Sequence, residues 1–531
     1  MTKLHSMPFA GYYTYLSVEG NDLFTMVALP EEGGRFPLVL YRDPYVERFA
    51  NSTEEETLLT VMQVHRRWLE NGYGVVYQHC RGHGKSTGDT VAYIYEREDG
   101  LALQEWVRQQ PFYNGELYLC GQSYLASVHF VTAPYAPDIK GAVLEVQDCE
   151  RYNIAYRHGT FRIGLHGSWY IGMYKPKSGK PKYYASDRAY EQLPLRDFPK
   201  MVFGEPAPDL EEMLRHPDPR DDFWKDTRFG GNDARHAIEN ATIPILYTSS
   251  AFDLYVGGIY EAWMGMPKAQ RDRCALVISA YDHGDSASSS PIFFPNGTKA
   301  GGIGADYAVA WVNAIRGKGA YPAAPGKVTY YRLFDNKWAT DDFIPDTTLR
   351  VALGEETRCY HYNPYDPPSF KGGLSGMFGG TAIQDAPNFR PDVVTVYTAL
   401  FERDTMIKGE MTAHLTVSSD CEDTGFCVRV SVTTQKGDYG LREDITNLCF
   451  QHPDYVPGEK AGMDFTFDAG AFLVKKGERL RVDVASADAA HYVRHTNQKG
   501  LFSEQATAKV AVNTVYFGES TLTLPVETDK N

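Results

Sequence analysis

Three residues far apart in the chain have the types and the order that acyl transfer by a serine nucleophile requires. Ser123 lies in Tyr118-Leu119-Cys120-Gly121-Gln122-Ser123-Tyr124-Leu125-Ala126, where an apolar run meets a glycine, a serine and a second apolar run, Val128 to Val131. The pattern predicts a buried strand that turns sharply into a helix with the serine at the apex. Such an elbow strains the serine backbone and lifts its hydroxyl clear of the sheet. It also aims the first N–H groups of the helix at whatever the hydroxyl attacks. Leu125 stands where Gly-x-Ser-x-Gly would have its second glycine, so the motif needs support from its partners.

A serine nucleophile needs a base, and the base needs an orienting carboxylate. Asp253 follows the apolar run Ile243 to Tyr247, and His283 follows Cys274 to Ser279. The acid is 130 residues after the serine and the histidine 30 residues after the acid, the order serine, acid, histidine of an α/β-hydrolase. Taken singly, Asp253 reads as a turn residue and His283 as one of 15 histidines. Both falling in order on consecutive strand-end loops makes catalysis the stronger reading. Asp282 is a competing acid, but neighbours in sequence point apart, so it is poorly placed to orient His283. Two donors must meet the developing oxyanion. The backbone N–H of Tyr124 follows from the elbow, and Tyr45, on an early strand-end loop, is the candidate for the second. Trp169, Phe252 and Tyr255 are the candidates for an apolar, aromatic pocket. His79 and His83 lack carboxylate or thiolate partners at ligand spacing, so no metal and no cofactor is expected. Gly84-Lys85-Ser86 fails as a phosphate loop because His79 stands where the first glycine belongs. Arg81 is expected to form a structural ion pair.

These side chains need a scaffold. Phe36 to Tyr41, Gly74 to Gln78, the Ser123 strand, Gly141 to Val146, Ile243 to Tyr247 and Cys274 to Ser279 read as short buried strands. Helical patterns at Thr57 to Glu70, Glu98 to Gln109 and Ala305 to Ile315 alternate with them, which argues for a parallel sheet covered on both faces. Residues 11–30 alternate as antiparallel strands. Residues 149–240 change character: they are rich in Tyr, Trp, Arg, His and Pro, with short helical pieces such as Leu210 to Arg215, and suit a cap inserted over the site. From 325 onward short alternating strands predict a jelly roll or sandwich. The expected division is an α/β-hydrolase core over 1–148 and 241–324, a helical cap over 149–240 and a C-terminal β jelly roll over 325–531.

The 531 residues carry a net charge of −15, which disfavours nucleic acid and anionic membranes. No apolar run reaches the 18 residues of a membrane span, and Met1 to Tyr15 lacks the apolar segment of a signal peptide. The eight cysteines form no C-x-x-C pair and read as reduced thiols of a cytoplasmic protein. The expected partner is a small-molecule ester or amide, or a short peptide; a homodimer is compatible with the sequence.

Together the residues resemble the X-Pro dipeptidyl-peptidase/cocaine-esterase-like (CocE/NonD) hydrolases over nearly the whole chain. The marks are Arg42-Asp43-Pro44-Tyr45, Arg81-Gly82 with Ser86 and Gly88, Glu98-Asp99-Gly100 before Trp106, Gln110-Pro111 with Gly115, Gly121-Gln122-Ser123-Tyr124, Asp221-Asp222-Phe223-Trp224, Asp253, His283-Gly284, Asn336-Lys337-Trp338, and Tyr362-Asn363-Pro364 with Asp366-Pro367. The resemblance implies a hydrolase core, a helical cap after the sixth strand and a C-terminal jelly roll. It implies Ser123 as nucleophile, His283 as base, Asp253 as its orienter, and the Tyr45 hydroxyl and Tyr124 amide as oxyanion donors. Ala126 and His79 depart from residues usual in the family. Members that hydrolyse α-amino acid esters carry acidic residues just after the triad aspartate. Leu254-Tyr255-Val256 follows here, so a carboxylic ester or amide is the favoured substrate. An X-Pro dipeptidyl-peptidase is the alternative within the fold, and a non-catalytic ligand-binding protein the alternative outside it.

Overall fold

The computed structural model describes residues 2–4, 8–135, 138–148, 150–174, 193–225, 241–287, 290–298, 305–374 and 379–528. The chain opens with β1 (Thr2–Leu4), β2 (Ala10–Val18), β3 (Asn21–Leu29), β4 (Phe36–Asp43), β5 (Gly74–His79), β6 (Tyr113–Gln122) and β7 (Ile139–Glu145). A two-strand hairpin, β8 (Tyr156–Arg157) and β9 (Thr160–Phe161), lies in the cap region. Then come β10 (Ile245–Ser250), β11 (Ala275–Ser279), β12 (Val328–Arg332) and β13 (Lys337–Asp341). One eleven-stranded sheet has the order β1-β2-β3-β5-β4-β6-β7-β10-β11-β12-β13. From β5 to β12 neighbouring strands run parallel, so the carboxyl ends of β4, β6, β7, β10 and β11 share one rim.

Side chains on the central strands alternate between two cores. Leu117 and Leu119 of β6 join the cluster that includes Leu103, Phe130 and Trp263. Tyr118 and Cys120 join the one with Trp68, Trp311 and Val312. Apolar residues on both parities make these strands continuous apolar runs, as sheets buried on both faces require. The first covering helix, Glu54–Val64, starts at a capping box in which Thr53 and Glu56 exchange side-chain and backbone hydrogen bonds. The single helix expected from Thr57 to Glu70 is two: His65, at φ −97° and ψ 17°, separates Glu54–Val64 from Arg66–Glu70.

Between β7 and β10 lie short helices, including Arg151–Ala155, Ser168–Met173, Phe198–Phe203 and Pro208–Met213. With the β8–β9 hairpin they bury Tyr156, Phe161, Phe198, Phe203 and Leu210 in a separate core that Val493 and Phe502 of the C-terminal part join. Parts of the expected cap, and Cys149, fall outside the described residues. Arg157 ties this region to the C-terminal strands through Asp444 at 2.8 Å and Asp468 at 2.6 Å.

The remaining strands are β14 (Thr347–Ala352), β15 (Thr357–Tyr362), β16 (Val394–Tyr397), β17 (Thr405–Gly409), β18 (Thr412–Ser419), β19 (Gly425–Thr434), β20 (Gly437–Asn447), β21 (Ala461–Thr466), β22 (Gly470–Val474), β23 (Arg479–Ala485) and β24 (Ala511–Val526). They form two antiparallel sheets of seven and four strands, with a shared core of Leu415, Val417, Val428, Val430, Val482, Val484, Val515 and Phe517. Val328 to Leu333, read as the first strand of this C-terminal unit, behaves otherwise. β12 pairs in parallel with β11, and β13 pairs antiparallel with β12, so both extend the hydrolase sheet past residue 324. The alternation of β12 suits either sheet; the buried edge of β11 decides where it goes.

Candidate active site

Ser123 has φ 57° and ψ −130°, a positive φ that is costly for a residue with a side chain. Packing around the elbow imposes it. A Cβ at Gly121 would lie 2.0 Å from the Leu125 carbonyl oxygen, so the helix Tyr124–Phe130 can fold back on β6 only over a glycine. The Ser123 N–H donates to the Glu145 carbonyl at 2.9 Å and pins the apex to the end of β7.

The three predicted side chains converge on the sheet's carboxyl rim. His283 Nε2 lies 3.0 Å from Ser123 Oγ, and His283 Nδ1 lies 2.9 Å from Asp253 Oδ1. Asp253 and His283 follow adjacent parallel strands, so strand pairing places the acid beside the base. Asp253 is fully buried; its Oδ2 accepts from the Ser249 hydroxyl at 2.9 Å and its Oδ1 from the Tyr255 N–H at 3.2 Å. Those bonds leave the carboxylate little freedom except to face the imidazole. Tyr255 packs edge-on against the His283 ring, with centroids 5.6 Å apart.

The Tyr45 hydroxyl accepts from Trp169 Nε1 at 2.9 Å and interacts with the Ser123 side chain and the Tyr124 amide. Burial pushes its phenol up, while those three contacts pull the other way; the net rise keeps the hydroxyl protonated and able to donate. Tyr45 is held from behind. Its N–H donates to Asp43 Oδ1 at 2.6 Å, and the same carboxylate receives the Tyr77 hydroxyl and pairs with Arg48 at 2.9 Å. The Tyr124 ring is anchored too: its hydroxyl donates to Glu96 at 2.8 Å and accepts from the Tyr93 N–H at 2.7 Å. Glu96 pairs with Arg42 at 2.9 Å, and burial pushes this carboxyl up while Arg42 pulls it down. Arg81 pairs with Asp99 at 2.6 Å, the structural ion pair expected of it.

Of the three pocket candidates, Trp169 and Tyr255 border the site together with Tyr45, Tyr93 and Tyr124. Phe252 does not: it packs into the core shared with the C-terminal sheets, beneath the Arg442 guanidinium. Phe252 immediately precedes Asp253, and the turn that sends Asp253 to His283 sends Phe252 away. Sequence reasoning missed Asp43, Glu96, Tyr93 and Ser249. Asp43, a carboxylate ending a buried strand, was the readable signal; the others depend on pairings across the fold.

Among the described residues, Glu443, Asp488 and His491 have the spacing of metal ligands. His491 Nδ1 is already shared by Asp488 at 2.9 Å and Glu443 at 3.1 Å, and Arg429 pairs with Glu443, so the charges are matched without an ion.

The family model for the X-Pro dipeptidyl-peptidase (S15 family) matches residues 19–285, and that for the X-Pro dipeptidyl-peptidase C-terminal non-catalytic domain matches 316–523. The chain is similar to cocaine esterase of Rhodococcus sp. (strain MB1 Bresler), at 23% identity over 94% of this chain and 95% of the relative. Among solved structures, an α-amino acid ester hydrolase superposes with a TM-score of 0.78 at 18% identity, covering 98% of this chain and 97% of the other. An aminopeptidase from a marine sediment Thaumarchaeota archaeon also gives 0.78 at 18% identity, over 98% and 96%. These likenesses show the fold, and the family match covers the whole stretch from β3 to the histidine, so the chain is a serine hydrolase belonging to the X-Pro dipeptidyl-peptidase (S15) family.

Proposed function

We propose that Ser123, His283 and Asp253 are the catalytic triad of a carboxylic ester or amide hydrolase that works through an acyl-enzyme. The observation that carries this is the continuous hydrogen-bonded line from Asp253 through His283 to Ser123, with both separations within 3.0 Å. His283 takes the Ser123 proton as Oγ attacks the substrate carbonyl. The Tyr45 hydroxyl and the Tyr124 N–H receive the oxyanion. His283 returns the proton to the leaving group, and water, deprotonated by the same imidazole, releases the acid. Asp253 keeps the imidazole in the tautomer with its proton on Nδ1.

The supporting scaffold is a hydrolase core over 1–148 and from 241 to the end of β13, a cap over 149–240 and a C-terminal β unit. No described helix is long and apolar enough to cross a membrane. The seven described cysteines are unbridged, in keeping with a cytoplasmic protein.

A fluorophosphonate probe should label wild type at Ser123 and leave Ser123→Ala unlabelled; labelling that survives the substitution refutes the assignment. The family model favours a second reading, release of Xaa-Pro dipeptides. Hydrolysis of a Gly-Pro nitroanilide faster than of simple p-nitrophenyl esters would establish it.

A further inference from the structure

A cleft of about 420 Å³ opens from Ser123 and Tyr45, on the face of the sheet covered by helices Glu54–Val64 and Ala305–Ile315. Its volume lies within the range of small-molecule sites, about 300–1,000 Å³. The pocket candidates Trp169 and Tyr255 do not line it, nor does His283. Its walls come from Tyr41, Val64, His65, Leu125, Glu145 and Ala308. Val64 is 63% exposed at the mouth, while Ala308 is 7% exposed further in. We propose that this cleft is a second substrate subsite, which takes an uncharged and largely apolar group, aryl or branched alkyl, on one side of the scissile carbonyl.

The position follows from the lining. A carbonyl attacked by Ser123 and held by Tyr45 carries two substituents, and a space bounded by both residues must receive one of them or stay filled with water. The chemistry follows from the groups that could carry charge. Asp43 and Arg48 are paired at 2.9 Å and so offer no free charge. The His65 ring lies 4.3 Å from the Tyr41 ring; burial, then Arg48, pushes its imidazole down to about 4, so it is neutral. Glu145 Oε1 is buried with no hydrogen-bond partner among the described residues. Burial and then Asp285 push that carboxyl up to about 8. Neutral at pH 7, it can donate one hydrogen bond to an acceptor on the bound group. A substrate carboxylate would find no countercharge here. The aromatic and aliphatic walls reward apolar area instead.

The inference rests on the acyl-enzyme reading, and the test separates the two. The activity of purified full-length enzyme is measured on two series: p-nitrophenyl esters with acetyl, butyryl and 4-phenylbutyryl groups, and acetate esters of phenol and of bulkier neutral aryl alcohols. Val64→Trp narrows the mouth at an exposed position, and Ala308→Phe fills the interior. In one of the two series wild type should gain roughly ten- to a hundredfold in kcat/KM with the larger group. Both variants should erase that gain through KM while holding p-nitrophenyl acetate within about twofold, as expected for lost binding area. The subsite is overturned if both series are flat in wild type, or if Val64→Trp, folded by circular dichroism, keeps the preference. It is also overturned if a cationic ω-amino group is preferred to its neutral isostere, because Glu145 would then be serving as an anion. Retention of p-nitrophenyl acetate hydrolysis by Ser123→Ala would instead sink the acyl-enzyme reading, and with it the placement of the scissile carbonyl beside this cleft.

Discussion

Two histidine–aspartate pairs in this molecule have the same separation and opposite uses. His283 and Asp253, on the rim of the parallel sheet, are 2.9 Å apart; His491 and Asp488, in the C-terminal unit, are also 2.9 Å apart. The difference is what else each imidazole meets. His283 has one carboxylate on Nδ1 and a hydroxyl on Nε2, and its side chain keeps 19% of its surface exposed. His491 shares Nδ1 between two carboxylates. Burial alone would push His491 down, but Asp488 and Glu443 override it and raise it to about 10. That imidazole is a fixed cation at neutral pH and can take no further proton. A carboxylate beside a histidine therefore does not make a base. One carboxylate orients the ring; a second converts it into a rivet.

Substitutions can break this contrast at either pair. Ser123→Ala removes the group that gives His283 its task, and kcat should fall on the order of 10⁶-fold. Circular dichroism should be unchanged, since alanine fits the elbow and no buried charge is exposed. Asp253→Asn should cost on the order of 10⁴-fold in kcat, because an amide favours the wrong imidazole tautomer. Its pH–rate profile should change with it, which a merely structural loss would not produce.

At the other pair, His491→Gln leaves Glu443 and Asp488 without their shared cation. We expect about 3–5 kcal/mol of lost stability in urea unfolding, with near-normal activity in the folded fraction. Equal loss of activity per folded molecule would mean that the two pairs are not separate devices. Tyr45→Phe should lower kcat by roughly 10²- to 10³-fold with little change in KM, the expected loss for one oxyanion donor. The smallest effect is read by pH. The folded pKa of His491, about 10, lies above its ordinary 6.5. Its contribution is complete below pH 6.5 and is lost as pH rises through about 10, at about 1.4 kcal/mol per unit. Thermal unfolding of wild type from pH 7 to 9 should show this slope, and His491→Gln should flatten it.

The order of the proposed triad was legible in the chain because each group follows a short buried strand, and strand-end position is written in local apolar runs. Ser123, Asp253 and His283 could be named on that ground, as could the Arg81 ion pair. Phe252 shows where the approach stops: its type suited a pocket, but the turn at Asp253 points it into the second core. β12 shows the same limit for sheets. Its alternating residues fit either the hydrolase sheet or the C-terminal one, and only pairing to β11 assigns it.

Residue order alone was enough for the parallel sheet, the serine elbow and the choice of Asp253 and His283 as the proposed acid and base, because those rest on periodicity, a glycine and the succession of strand ends. It could not supply the 2.9 Å and 3.0 Å contacts that link Asp253 through His283 to Ser123, the Asp43 and Glu96 supports behind the proposed oxyanion donors, or the cleft beside Tyr41 and Glu145. Those depend on contacts between segments tens to hundreds of residues apart, whose geometry is set by how the layers pack and by the charges that packing shuts away from water.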